Sequence, residues 1–423
     1  MTKSHPNEEL QHTTKHSILS SFDRLRTSSQ SSSLRVLWIW HAAVVAEYQK
    51  PVQELAGYPD LDVTLMLPRR WPERAGEMVR AETLPEARFG LVVARTMFTG
   101  FYYIYFFPSL LYHLLRLRPD IIYCYEEAHT LMGALVLLLR RLFMPRARVF
   151  LYAAQNIKKK YPFPFRLFER YCFRNADMIL ACGTTVAATL RSKGYRGPLR
   201  VVPLPTDTCA FAPDPDRREA VRRELATPQD ALVVLYAGKL VEEKGIRTLW
   251  QAFEEVAGEQ ENAYLVLAGG GPLKAEIEEK AREAGLTARV RLPGVVHNTG
   301  LPGMMNAADV FVLPSETRDN WREQFGRVAV EAMSSALPVI GSDSGEIPTV
   351  LGDAGLIFPE GDRAALASHL RRLAADLPSR AELGVRGRER ALKLFSTEKV
   401  AAQHYEAYRV PSAEYRVAST SQE

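Results

Sequence analysis

The chain has 423 residues, of which 47% are hydrophobic and 24% charged, which is typical of a globular protein with two domains. Its four cysteines show no CxxC or Cys/His spacing, which argues against zinc and favours reduced thiols. Residues 1–200 hold 28 of the 54 basic and only 16 of the 49 acidic residues. A basic first half suggests an anionic partner there, such as a membrane surface, an anionic acceptor or nucleic acid.

The two ends of the chain are polar, and we expect residues 1–34 to be a disordered tail and residues 411–423 a flexible one. No secretion signal is evident. No run reaches the roughly 20 apolar residues of a membrane-spanning helix, because proline, histidine or arginine interrupts the longest apolar runs. We therefore expect a cytoplasmic protein.

The first half alternates short apolar runs with longer periodic ones. Strands are predicted at residues 34–40, 63–67, 120–125, 148–154, 178–181 and 201–204. Helices are predicted at residues 97–117, 130–143 and 163–174. Alternating strands and helices imply parallel βαβ units, so residues 35–204 are predicted to form a Rossmann-like domain.

Residues 203–215 contain four prolines and no periodic pattern, which indicates a linker. The alternation then restarts. Strands are predicted at residues 232–237, 263–268, 290–292, 310–313 and 339–340, and helices from 245, from 272, and at 325–335, 362–395 and 397–408. The sequence therefore predicts a second Rossmann-like domain at residues 205–385, with a cleft between the two domains.

The first candidate motif is a predicted strand that runs into Gly238, Lys239 and, five residues later, Lys244. Open α/β sheets bind ligands at the carboxyl ends of their strands, where two lysines can neutralise a diphosphate. A helix that begins near Gly245 also favours an anion. A turn with two solvated lysines explains the motif about equally well.

Two further strand-to-helix turns are rich in small residues. One is the Ala268-Gly-Gly-Gly-Pro272 segment, where glycine would let backbone approach a ligand closely. The other is residues 339–348, where a strand ends in Gly341, Ser342, Asp343 and Ser344. Each is explained as well by an ordinary tight turn.

Glu323 and Glu331 lie eight residues apart, the first before a predicted helix and the second two turns into it. At the rise of an α-helix their separation is about 12 Å, too far for a carboxylate pair acting on one bond. The spacing suits the two ends of an extended ligand, with helix amides near Phe325 and Gly326 facing a phosphate between them. The alternative is a helix with one exposed and one capping glutamate.

Polar side chains also follow strands of the first half. His41 comes directly after the first strand, and Glu126, Glu127 and His129 follow the strand at 120–125. All should therefore lie near the cleft. A structural role is the more common explanation for a single histidine.

Taken in order, these motifs resemble glycosyltransferase family 4 (group 1), whose members are retaining enzymes of the GT-B fold. The resemblance covers residues 232–395 and includes the glycine–lysine segment, the glycine-rich turn, the run at 308–315 and the two spaced glutamates. It implies an α/β fold of two Rossmann-like domains facing a central cleft. It also implies that carboxy-terminal helices, at residues 386–410, cross back to the first domain.

The resemblance implies a role for each matching residue. Glu323 would contact the donor sugar near its anomeric carbon, and Glu331 would bind the nucleotide ribose. Lys239 and Lys244 would stabilise the departing diphosphate, so no metal or other cofactor is expected. The donor-binding residues implied in this way are Gly238, Lys239, Lys244, Val295, Glu323, Phe325, Gly326 and Glu331. The catalytic candidates are Glu323, Lys244, Lys239 and His129.

The first half departs from the family because residues 40–47 contain no glycine where many members have a Gly-Gly loop. His41, Glu126 and Glu127 therefore remain cleft candidates. Family members often use lipid-linked acceptors, and a basic, aromatic first domain is compatible with contact at the inner face of the cytoplasmic membrane. The expected partners are a nucleotide sugar, a glycan or lipid-linked acceptor and an anionic membrane surface, without nucleic acid.

The leading hypothesis is a retaining transfer of a hexose from a nucleoside diphosphate sugar to a hydroxyl, in polysaccharide or envelope glycan synthesis. One alternative is another GT-B sugar enzyme, an epimerase or a phosphorylase. The other is a non-catalytic protein that binds nucleotide sugars or nucleic acid, against which the complete set of donor-site residues argues.

Overall fold

The computed structural model of the protein describes residues 33–73 and 76–410, so the expected tails fall outside it, apart from residues 33 and 34. The first domain contains strands β1 (Leu34–Ile39), β2 (Leu61–Pro68), β3 (Arg70–Glu73), β4 (Glu77–Arg80), β5 (Gly90–Ala94), β6 (Ile121–Cys124), β7 (Arg148–Ala153), β8 (Met178–Ala181) and β9 (Leu199–Val201). Its helices are α1 (Lys50–Leu55), α2 (Leu110–Leu117), α3 (Leu131–Phe143), α4 (Phe165–Asn175) and α5 (Thr184–Ser192).

The second domain begins after the linker. Its strands are β10 (Leu232–Ala237), β11 (Ala263–Ala268), β12 (Val290–Gly294), β13 (Val310–Leu313), β14 (Val339–Ser342) and β15 (Leu356–Phe358). Its helices are α6 (Pro215–Glu224), α7 (Ile246–Glu259), α8 (Lys274–Glu283), α9 (Leu301–Ala307), α10 (Arg327–Ser334), α11 (Ile347–Leu351), α12 (Arg363–Ala375) and α13 (Leu377–Leu394). A last helix, α14 (Thr397–Arg409), ends the described chain.

Each domain is built on a parallel sheet, in the order β5-β2-β1-β6-β7-β8-β9 in the first and β12-β11-β10-β13-β14-β15 in the second. Strands such as β6 and β8 are buried at every residue, as expected of a sheet covered on both faces. The strand order reverses between β1 and β6 and between β10 and β13. Loops after these four strands therefore flank the crevices where α/β sheets bind ligands. The predicted two-domain α/β fold is confirmed.

The segment at 97–117 is helical only in α2, so the prediction of one long helix there is wrong. Gly100 has a φ of 88°, and Pro108 has no amide hydrogen to donate, so neither suits a helix interior. Met97 and Phe106 instead form an antiparallel bridge. Tyr105 and Phe107 are buried in the core, so part of the aromatic content of the segment packs there without a helix.

The crossing back to the first domain occurs later than residue 386, which lies inside α13. Helix α13 packs on α10 of the second domain, and Gly384 allows this because a Cβ there would lie 2.2 Å from the carbonyl oxygen of Ala336. Only α14 joins the core of the first domain. Trp38 Nε1 donates a hydrogen bond of 2.9 Å to Tyr408 Oη, which anchors α14 to β1. Within the described residues, no helix combines the length and apolarity needed to cross a membrane.

His404 of α14 is buried against Trp38 and Tyr123, and this burial lowers its pKa from 6.5 to about 3. Between these values the unfolded chain binds a proton at His404 and the folded chain does not, so stability falls as the pH drops from about 6.5 towards 3. His404→Phe cannot take up this proton. For each unit by which the pH drops, we expect the free energy of unfolding of this variant to fall by about 1.4 kcal/mol less than that of the wild type. Urea denaturation between about pH 6 and pH 4 measures this. Parallel profiles for variant and wild type would show that His404 does not titrate in this way.

Candidate functional site

Glu323 lies in the loop between β13 and α10, at the carboxyl edge of the second sheet, and is only 8% exposed. Its Oε2 accepts hydrogen bonds from Lys244 Nζ at 2.6 Å and from Ser315 Oγ at 2.8 Å. Lys244 Nζ also lies 4.6 Å from the centre of the Trp321 ring. The carboxylate of Glu323 is therefore held in one orientation at the cleft.

The loop that carries Lys244 is brought to Glu323 by a close backbone contact. Gly245 has a φ of 65°, and a Cβ there would lie 1.8 Å from the carbonyl oxygen of Pro314. Only glycine allows the loop after β10 to approach the end of β13 so closely. The glycine that follows Lys244 thus brings the lysine and the glutamate together.

Gly238 and Lys239 are exposed at the end of β10. No carboxylate among the described residues forms an ion pair with Lys239. The two predicted lysines therefore differ, because Lys244 is paired with Glu323 and Lys239 faces solvent.

The glycine-rich turn after β11 packs against the loop after β10 that carries the two lysines. A Cβ at Gly269 would lie 1.7 Å from the carbonyl oxygen of Gly238, and one at Gly271 would lie 2.3 Å from that of Leu240. These glycines are needed for backbone packing within the domain. Of the two explanations for the motif, the structure favours the tight turn.

Helix α10 begins after Gly326, whose φ of 80° lets the chain turn into the helix without a capping side chain. Phe325 is buried in the core against Phe395, so only its backbone remains available to a ligand. Glu331 is partly exposed one turn beyond Arg327, so the two side chains share one face of α10.

Glu331 and Arg327 line a cavity of about 470 Å³ between the two domains. Tyr48 and Lys50 of the first domain, Asp207 of the linker and Asn298 also line it. The Arg327 guanidinium lies 5.3 Å from the centre of the Tyr48 ring. Glu323, Lys239 and Lys244 do not line this cavity. The sequence analysis missed Arg327, although its position four residues before Glu331 was a signal for it.

Val295 and His297 lie in the exposed loop after β12, and Val295 is 63% exposed. The neighbouring Asn298 and Thr299 line the cavity instead. The structure thus places the loop that carries the predicted donor-binding residue Val295 beside the cavity.

In the first domain, His41 Nδ1 lies 2.5 Å from Glu126 Oε1, and the Tyr105 hydroxyl donates to the same oxygen. Glu126 is fully buried, and its Oε2 has no hydrogen-bond partner among the described residues. Trp71 packs against the His41 ring at 4.7 Å. The structure therefore brings His41 and Glu126 together.

Glu127 and His129 have other surroundings. Glu127 Oε1 accepts hydrogen bonds from the amides of Ala154 and Gln155 at 2.6 and 2.9 Å, and burial raises its pKa to about 7. His129 is 4% exposed and stacks on Tyr161 with ring centres 3.9 Å apart. Burial, aided by nearby lysines, lowers the pKa of His129 to about 3, so it is neutral at neutral pH.

The two domains meet at Glu323 itself. Asn156, which follows β7, donates a hydrogen bond of 2.7 Å from Nδ2 to the carbonyl oxygen of Glu323. Nothing in the sequence analysis had selected Asn156. In the described part of the chain, no group of three or more His, Cys, Asp or Glu side chains is suited to hold a metal ion.

Two Rossmann-like domains that face each other across such a cleft define the GT-B class, and solved structures of this class share the fold. Sucrose-phosphate synthase from Thermosynechococcus elongatus superposes with a TM-score of 0.69 at 23% identity, over 89% of this chain and 98% of that one. HepE from Anabaena gives a TM-score of 0.67 at 16% identity, over 89% and 99%.

Sequence comparison identifies the family. The model of glycosyl transferases group 1 matches residues 217–390, and that of glycosyltransferase family 4 matches residues 59–209. The lipopolysaccharide core biosynthesis glycosyltransferase LpsE of Rhizobium meliloti is 32% identical over 54% of this chain and 63% of its own length. The 2-deoxystreptamine glucosyltransferase of Streptomyces kanamyceticus is 32% identical over 56% and 62%. These matches span less than two thirds of each relative. The chain belongs to glycosyltransferase family 4, group 1.

Gly345 provides a test of how tightly the Glu323 loop is packed. A Cβ at Gly345 would lie 1.9 Å from the carbonyl oxygen of Glu323, whereas one at Gly361 would have no atom within 4 Å. Both glycines have a positive φ, of 57° and 76°. We expect Gly361→Ala to lower the free energy of unfolding by about 1–2 kcal/mol from backbone strain alone. Gly345→Ala should cost clearly more, because the loop must also move. If chemical denaturation gives the two variants the same loss in free energy of unfolding, the contact between Gly345 and Glu323 is not tight.

Proposed function

We propose that the protein is a retaining glycosyltransferase that moves a hexose from a nucleoside diphosphate sugar to a hydroxyl acceptor. The observation that carries the proposal is the fixed carboxylate of Glu323, hydrogen-bonded to Lys244 and Ser315 at the edge where the domains meet. Glu331 lies eight residues further on, in a cavity whose volume suits a nucleotide-sized ligand.

In this proposal the donor lies along the start of α10. The ribose hydroxyls bind the carboxylate of Glu331, and the base lies by the loop that carries Val295. The diphosphate lies near the first amides of α10, where the helix dipole favours negative charge. Lys239, Lys244 and Arg327 supply positive charge around it, which is why we propose no metal.

The reaction needs charge to be stabilised where it develops. The bond between the anomeric carbon and the phosphate oxygen breaks, and the acceptor oxygen bonds to that carbon on the same face. The acceptor proton passes to the departing diphosphate. Glu323 contacts the sugar, and Lys244 turns from Glu323 towards the leaving phosphate. His41 and Glu126 lie on the acceptor side, and neutral His129 is a hydrogen-bonding group there.

The known relatives support this donor class. HepE was solved in complex with UDP and with UDP-glucose. Another relative, from Mycolicibacterium smegmatis, is a GDP-mannose-dependent mannosyltransferase and is 33% identical over 47% of this chain. The similarity to LpsE, a lipopolysaccharide core biosynthesis glycosyltransferase, supports a role in bacterial envelope or polysaccharide synthesis for this chain.

We also propose peripheral contact with an anionic membrane from the cytoplasmic side. Phe163, two residues before α4, is 76% exposed, and Leu167 of α4 is 48% exposed. Arg166, Arg170 and Arg174 are exposed on the same helix. Phe101 is 66% exposed. It lies in the same loop as Tyr103, which packs on Phe165 of α4. Apolar side chains beside arginines are suited to the headgroup region of an anionic bilayer.

The donor for the activity assay is the nucleotide sugar that most raises the melting temperature of the protein in a thermal-shift screen. With that donor and a hydroxyl acceptor we expect release of nucleoside diphosphate. Glu323→Ala and Lys244→Ala should lower kcat by about 10²–10³-fold. Glu331→Ala should mainly raise the donor KM, by about tenfold or more, since its contact is made equally in the ground state.

Glu255→Gln, on the surface of α7, is the matched control and should leave both constants unchanged. Unchanged turnover in Glu323→Ala and Lys244→Ala would refute the site. Interconversion of the sugar without an acceptor would instead indicate an epimerase, and consumption of phosphate a phosphorylase.

The membrane prediction concerns α4. Phe163→Ser combined with Leu167→Ser should weaken binding to vesicles containing about 30% anionic lipid at least tenfold, because apolar burial is lost. Leu377→Ser, at an exposed leucine of the second domain, is the control. Co-sedimentation measures both. Equal binding by wild type and the double variant would contradict contact through α4.

A further inference from the structure

Glu346 belongs to the second domain, but its side chain forms hydrogen bonds with residues of the first domain. It lies between β14 and α11 and is 1% exposed. Its Oε1 accepts hydrogen bonds from the amide of Thr184 at 2.6 Å and from the hydroxyl of Thr184 at 3.0 Å. Its Oε2 accepts from the amide of Thr185 at 2.8 Å and from the hydroxyl of Thr185.

These hydrogen bonds cap helix α5 from the other domain. The residue before α5 is Gly183, which has no side chain to cap the first amides of the helix. A Cβ at Gly183 would lie 2.5 Å from the carboxyl carbon of Glu346, so the absent side chain leaves room for the carboxylate. The negative charge also lies at the positive end of the α5 dipole. The first turn of α5 is thus completed only when the two domains are in contact.

The backbone of Glu346 reaches the candidate catalytic residue. Its amide donates a hydrogen bond of 3.2 Å to the carbonyl oxygen of Glu323. The same oxygen accepts the hydrogen bond from Asn156 of the first domain. One carbonyl group next to the reacting carboxylate is therefore held from both domains.

We propose that Glu346 is a positioning residue that couples contact between the domains to the placement of Glu323. The carboxylate of Glu346 fastens α5 to the second domain, and this holds Asn156 against the carbonyl of Glu323. When the contact opens, that carbonyl loses one of its two donors, and the carboxylate of Glu323 is no longer held for reaction. A displacement of about 1 Å at a catalytic group can cost about 10²-fold in rate.

This coupling differs from a contact that only joins the domains. A purely structural contact lowers stability when removed but leaves the rate per folded molecule unchanged. A positioning contact lowers kcat and has less effect on the donor KM, because the contact between Glu331 and the donor is made by the second domain. The inference rests on the proposed function, since kcat refers to glycosyl transfer.

The test is a double-mutant cycle on kcat. Glu346→Ala should lower kcat about 10–100-fold and change the donor KM less than about threefold. Glu346→Gln should retain part of the activity, because its amide oxygen still accepts hydrogen bonds. Thr184→Val with Thr185→Val should lower kcat less than Glu346→Ala does, because the two backbone amides still donate to the carboxylate. The variant with all three changes should be no worse than Glu346→Ala alone, since the hydroxyls act only through Glu346.

The control is Asp362→Ala, which removes a helix cap within the second domain and should keep kcat within twofold of the wild type. Additive losses in the cycle, or a Glu346→Ala variant with normal kcat and reduced melting temperature, would overturn the proposal.

Amide hydrogen exchange gives a second readout that needs no substrate. In Glu346→Ala we expect faster exchange both in the first turn of α5 and in residues 323–327. Faster exchange in α5 alone would show that the contact is not coupled to Glu323, and would overturn the proposal. A wild type that transfers no sugar would refute the proposed function, whereas the exchange experiment would still decide the coupling.

Discussion

The hydrogen bonds around Glu323 are the constraint on which the site depends. Lys244 and Ser315 fix its carboxylate, while Asn156 and the amide of Glu346 fix its carbonyl. A carboxylate at 8% exposure needs such partners, because a buried charge is costly unless it is paired and hydrogen-bonded. One of these partners, Asn156, belongs to the first domain and hydrogen-bonds the backbone of Glu323. The hydrogen bonds that place Glu323 for the proposed reaction therefore include one that joins the two domains.

The parallel sheets explain why the network forms where it does. Both sheets reverse their strand order next to their first strand, and this brings the loops after β1, β6, β10 and β13 to the two facing edges. The first domain offers no glycine-rich loop after β1 and instead presents His41 paired with the buried Glu126. The first domain therefore presents side chains at its side of the cleft. Arg327, stacked on Tyr48 of the first domain, places a further positive charge beside Glu331.

Much of the second domain could be predicted from sequence, because its strands are continuous apolar runs and its motifs are local. The loop with Lys244 and the helix with Glu331 lie where the pattern predicted them, although the helix begins at Arg327, after a turn at Gly326, and not at residue 325. The segment at 97–109 was mispredicted, since it is a loop whose aromatic side chains are partly buried and partly exposed, and hydrophobic content alone does not distinguish such a loop from a helix. Glu346 was missed because its partners lie 161 and 162 residues away in the chain. A local sequence pattern does not predict a hydrogen bond between domains. Asn156 was missed for the same reason.

The central claim is that one donor extends from Glu331 to Glu323 along the start of α10. A crystal structure of the protein with the nucleoside diphosphate that stabilises it most tests this directly. We expect ribose hydroxyls within hydrogen-bonding distance of the Glu331 carboxylate and the terminal phosphate within reach of Lys239 or Lys244, near the amides after Gly326. A nucleotide bound away from α10, with Lys244 still paired to Glu323 and no contact to Glu331, would contradict it.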